Sequence, residues 1–120
     1  MRETVSALHL NPSQVAQLIG FCTAYRSSLW RSVMPTPERN QVIRSVQALQ
    51  GRLEKAQEQG QAPVVLALSV EERITLQQLL LVLMQQCGQE PPSAERTQKL
   101  GEIGSLRVLV ERALRQTQAF

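Results

Sequence analysis

Two stretches decide how this chain folds: TPERNQVIRSVQALQGRLEKA at 36–56 and SAERTQKLGEIGSLRVLVERA at 93–113. Offset by 57, they carry the same residue at Glu38/Glu95, Arg39/Arg96, Gln41/Gln98, Leu49/Leu106, Glu54/Glu111 and Ala56/Ala113. Thr36/Ser93, Ile43/Leu100, Val46/Ile103, Leu53/Val110 and Lys55/Arg112 agree in kind. One helix is written twice.

The likeness extends upstream at an offset of 58. There LHLNPSQVAQLIGF (8–21) lies over LALSVEERITLQQLL (66–80), with Leu8 on Leu66, Leu10 on Leu68 and Leu18 on Leu76. One residue of loop length absorbs the change of offset. Two matches in the same order predict a duplicated unit, about 4–59 and 62–117, within a single domain.

Each unit opens on a β-rich run, TVSALHL or PVVLALS, that ends at a helix cap. Asn11-Pro12 reads as N-cap and N1 proline, and Ser69 with Glu72 as a capping box. Helices are expected over about 12–33, 37–59, 70–87 and 94–117, with Gly60 and Gly88 at two of the ends. The first helix offers the stripe Val15, Leu18, Ile19, Cys22, Tyr25, Leu29, Val33. The second offers Val42, Val46, Leu49, Leu53, Ala56, and the fourth Leu100, Ile103, Leu106, Val110, Ala113. One hairpin cannot bury its stripe alone. The expected fold is therefore mainly α: a four-helix bundle of two duplicated hairpins, each preceded by a short strand, with the strands paired in an antiparallel ribbon across a pseudo-two-fold axis.

Composition agrees. Hydrophobic residues make up 42% and charged ones 19%, which is globular, and aromatics at 3% leave the core to aliphatic side chains. All ten acids are Glu, and Glu suits helices where Asp suits caps and loops. The N-terminus lacks the apolar core of a signal peptide, and LLLVLM (79–84) is too short to span a bilayer. A cytoplasmic protein with no membrane partner is expected, its Cys22 and Cys87 being buried free thiols.

The strand–helix–helix order is similar to that of ribbon-helix-helix DNA-binding domains, whose exposed ribbon face reads bases. Neither run here contains Arg, Lys, Asn or Gln, only Ser6 and His9 could contact bases, and the helices are longer. The chain is not assigned to that class.

Chemistry is sparse. His9 is the only histidine, and no CxxC, HxxxH or HExxH spacing gathers metal ligands. No glycine-rich phosphate loop is present. Glu38, Glu71 and Glu72 fall in first helical turns, where acids complement the dipole. No catalytic residue, cofactor, metal or small-molecule substrate is expected.

Two features point to a partner protein or a second copy. The third helix is apolar most of the way round: Leu81, Val82 and Met84 widen the stripe of Leu76, Leu79, Leu80, Leu83 and Cys87. The fourth carries Gly101, Gly104 and Ser105 mid-helix, with Val108 and Leu109 nearby. Mid-helix glycines cost about 1 kcal/mol each and make sense where another backbone comes close, either at a crossing within the chain or at an intermolecular contact. The expected function is a non-enzymatic interaction subunit or adaptor that forms homodimers through these residues. The alternative is an accessory nucleic-acid-binding subunit that contacts phosphates through Arg44, Arg52, Lys55, Arg107, Arg112 and Arg115, consistent with a net charge of +3. Arg39 and Arg96, which recur in both units, are read as structural.

Overall fold

The computed structural model describes residues 6–32, 34–60 and 62–118, with the side chains of Ser6, Ser32 and 114–118 outside the described set. The order is β1 (Ser6–Leu10), α1 (Pro12–Ser32), α2 (Pro37–Glu58), β2 (Val64–Leu68), α3 (Val70–Gly88) and α4 (Ala94–Gln118). The protein is mainly helical, with the two strands paired as an antiparallel ribbon, and the pairing of its helices fits the bundle class. Val33, expected at the end of the first helical stripe, lies outside the described residues.

Every helix start is held by a side chain. Asn11 Oδ1 accepts from the Gln14 amide at 2.8 Å while Gln14 Oε1 accepts from the Asn11 amide at 2.9 Å. Ser69 and Glu72 form the same reciprocal box at α3. At α2 and α4 single hydroxyls suffice: Thr36 Oγ1 accepts from Arg39 N at 3.1 Å, and Ser93 Oγ from Arg96 N at 3.0 Å. These bonds satisfy amides that the first helical turn leaves without a carbonyl. Boxes thus open the first helix of each hairpin, and simple caps open the second. After α2, Gly60 turns the chain at φ 65°, a left-handed conformation that suits glycine.

Two compact units follow from the contacts. One runs from Leu10 to Val64 and packs α1 on α2; the other holds most of the ribbon with α3 packed on α4. In the first, Val15, Leu18, Cys22 and Tyr25 are buried on α1, and Ile43, Val46, Leu49, Leu53 and Ala56 on α2. In the second, α3 buries Leu76, Leu79, Leu80, Leu83 and Cys87, and α4 buries Ile103, Leu106, Val110 and Ala113. The ribbon alternates: Leu8, Leu10, Val64, Leu66 and Leu68 point inward, while Ala7, His9, Val65 and Ala67 are exposed.

The stripes are displaced in a few places. Ile19 and Leu29 are half-buried, as is Leu100. At the start of α2 the core position goes to Ile43, and Val42 is half-buried. Ile43 is the i+4 neighbour of Arg39, which is itself buried, so the inward face of that first turn is set by Arg39.

Candidate docking surface on α3 and α4

The core stripe uses one side of α3, and the opposite side is left apolar as well. Ile74 is 50% exposed and Leu81 44%, with Val70 one turn before Ile74 also exposed. At about 100° per residue these three share one face, away from Leu79 and Leu83. Val70 and Ile74 were not legible as surface in the sequence, because a helix greasy on all sides gives no contrast between its faces.

A cleft of about 160 Å³ runs along the α3–α4 pair beside this face. Gln77, Gln78 and Leu81 of α3 and Arg107 and Glu111 of α4 form its walls, over buried Leu80 and Val110. Arg107 Nη2 lies 3.6 Å from Glu111 Oε1, and its Nη1 donates to the Met84 sulfur at 3.3 Å. The pair is about two-fifths exposed, so its electrostatic worth is small and its effect is to hold the guanidinium across the cleft.

Of the residues expected at an interface, Leu81 and Met84 are therefore gathered with Arg107. Gly104 lies on the same flank of α4 as Arg107 and Glu111 by helical spacing, and is half-buried. Gly101, Ser105 and Val108 fall on the outer side of α4, all exposed, Val108 at 47%. Val82 and Leu109 are half-buried on other flanks; Leu109 lines a separate shallow cleft with His9 and Arg112. A Cβ built on Gly101 or Gly104 meets nothing within 4 Å. Both glycines leave open backbone, which gives no support to the first of the two alternatives, a crossing within the chain.

The phosphate-contact candidates are divided between the two compact units. Arg44, Arg52 and Lys55 are exposed on α2, with Arg44 Nη2 donating to Gln41 Oε1 at 3.2 Å. Arg107 is half-buried in the cleft and Arg112 exposed, while the Arg115 side chain lies outside the described set. The duplicated arginines each close their own hairpin. Arg39 is 6% exposed, its guanidinium 4.3 Å from the Trp30 ring centroid in the last turn of α1, with Nε and Nη2 donating to Asn40 Oδ1. Arg96 Nε donates to the Cys87 carbonyl and its Nη2 to that of Gly88, both at 3.2 Å.

The thiols are buried and unlinked. Burial pushes the Cys22 thiol up to about 12, against an opposing pull from Arg26, so it is no nucleophile at neutral pH. Among the described residues no group of His, Cys or Glu could hold a metal ion, and no helix is long and apolar enough to cross a membrane. No protein-family profile, curated protein or solved structure matches the chain.

Proposed function

We propose that this protein is a non-enzymatic helical docking subunit whose α3–α4 face is covered by the same face of a second copy. The observation that carries the reading is Leu81, exposed at the rim of a cleft on the side of α3 opposite its core, with open backbone at Gly104 on the flank of α4 that bears Arg107 and Glu111. Covering Ile74, Leu81 and Val108 removes apolar surface from water at about 25 cal/mol per Å². A second copy fits the cleft's charges. Arg107 and Glu111 stand one turn apart, so an antiparallel copy brings its own Glu111 to Arg107 and its Arg107 to Glu111. That is the self-complementarity a two-fold interface requires.

The test is light scattering on untagged protein after size-exclusion chromatography, at low and high salt. A dimer at both salts, converted to a folded monomer by Leu81→Glu and by Gly104→Arg, is expected. A wild-type monomer, or a dimer that survives both substitutions, overturns the proposal. A wild-type monomer carrying material that absorbs at 260 nm and is removed by high salt would move the function to the phosphate-contact arginines.

A further inference from the structure

We propose that the end of the α1–α2 hairpin binds single-stranded nucleic acid, with the Trp30 ring as a stacking platform for a base and Arg26, Arg31 and Arg44 as phosphate contacts. This site lies in the compact unit of residues 10–64, on different residues from the α3–α4 cleft.

Charge is the first observation. Residues 26–44 hold four of the thirteen basic residues and one of the ten acids. The remainder of the chain balances nine against nine, so this segment carries the whole net charge of +3. All four cations are arginines; both lysines, Lys55 and Lys99, lie elsewhere. Arginine presents a planar fork that matches two oxygens of a phosphate, which lysine does not.

The tryptophan is the second. Trp30 is 60% exposed, an unusual position for the only tryptophan of a chain with so few aromatics. The buried guanidinium of Arg39 lies over the ring at 4.3 Å, and Asn40 Oδ1 fixes that guanidinium through two hydrogen bonds. Arg39 is thus a positioning residue. It holds the indole in one orientation before any ligand arrives and so lowers the entropy lost on stacking. Arg26 is one turn below Trp30 on α1, and its Nε is buried without a hydrogen-bond partner. Arg31 Nε donates to the Ser27 carbonyl, and Arg44 to the Gln41 side chain, both readily exchanged for phosphate oxygens.

A fixed, exposed indole with Arg26 one turn below it and Arg31 next to it in the chain matches the chemistry of an unpaired strand, where bases offer flat faces and phosphates recur along the backbone. Among the described residues of the segment, Met34, 80% exposed, is the other large apolar side chain left exposed. Two apolar groups are a small anchor for a lipid surface. An acidic protein segment would meet the arginines but leave the indole face without a flat partner.

The test uses the intact chain and its single tryptophan as reporter. Oligothymidylate is titrated into the protein at about 50 and about 200 mM salt, following Trp30 emission and, with a labelled oligonucleotide, anisotropy. Stacking is expected to quench the emission. Three phosphate contacts give a log–log salt slope of about −2, so the affinity should fall about fifteen-fold between the two salts. Trp30→Ala should weaken binding about ten-fold or more. The double variant Arg31→Ala/Arg44→Ala should flatten the slope. Should Trp30→Ala unfold the hairpin by circular dichroism, wild-type quenching and the arginine pair still decide. Binding without quenching, or no binding, overturns the proposal. Emission that instead responds only to phosphatidylserine-containing vesicles, or only to polyglutamate, assigns the surface to a lipid or an acidic protein and overturns it equally.

Discussion

Arg96 and Cys87 hold each other across the α3–α4 turn: Arg96 Nε donates to the Cys87 carbonyl at 3.2 Å, and the Cys87 thiol donates to the Arg96 carbonyl at 3.7 Å. The last turn of α3 contains no basic residue of its own. Its unpaired carbonyls and the negative end of its dipole are met by an arginine from the first turn of the next helix. At the duplicated place in the other hairpin, Arg39 reaches back to the last turn of α1 by a different contact, stacking on Trp30.

Arg96→Ala should therefore cost about 1–3 kcal/mol, since it strips two carbonyls of charge-assisted bonds. Arg96→Lys should recover only part of this, because one ammonium cannot reproduce the fork. Urea denaturation of the three proteins measures it. An alanine variant as stable as wild type would mean that water replaces the guanidinium without loss.

The two glycines of α4 separate monomer stability from assembly. Nothing stands where a Cβ would go at Gly101, so Gly101→Ala should raise stability by about 0.5–1 kcal/mol through helix propensity alone. Gly104→Ala should stabilise the monomer by a similar amount while weakening the dimer, because its Cβ would stand in the open notch. Thermal melts and dilution series read the two effects apart. A destabilised Gly101→Ala monomer contradicts the open backbone seen there.

Leu53 and Leu79, each with no exposed surface, probe one core apiece. Leu53→Ala or Leu79→Ala should cost about 2–5 kcal/mol, the transfer term plus a cavity. A denaturation midpoint that moves by less than about 1 kcal/mol at either site would indicate a core able to collapse around the missing atoms.

Stability should fall in alkali. Burial holds the Cys22 thiol protonated up to about 12 against an ordinary value of 9.0, and raises the Tyr25 phenol from 10.0 as well. Above pH 9 the unfolded chain gives up the Cys22 proton while the folded chain keeps it. The unfolded state then binds fewer protons, so this contribution, fully present below pH 9, is lost progressively between 9 and about 12. Denaturation midpoints at pH 7, 9 and 10.5 for wild type and Cys22→Val check it. The variant should show the shallower decline, and an equal decline in both removes Cys22 as the cause.

Much of the fold was legible because it is written in local chemistry. Asn11-Pro12, Thr36-Pro37, Ser69 with Glu72, and Ser93 place four helix starts to the residue, since a cap acts within one turn. The 57–58 offset carries over to Val46/Ile103, Leu49/Leu106, Leu53/Val110 and Ala56/Ala113, all buried in both hairpins. The candidate surface was harder to read. Leu81 could be marked from its excess hydrophobicity, but Ile74 could not be told from a core residue on an all-apolar helix. Trp30 beside Arg31 was visible in the sequence, yet the partner that fixes the ring is Arg39, nine positions on and across a turn.

The sequence by itself determined the helices, their starts and the heptad-like stripes, because propensity, capping and periodicity depend on neighbours within a turn or two. Tertiary structure decided which apolar residues stay outside. Whether Ile43 or Val42 enters the core, whether Gly104 meets a backbone or open space, and whether Arg39 points to water or lies beneath an indole all depend on where a second helix passes. That path is fixed by packing over many residues at once.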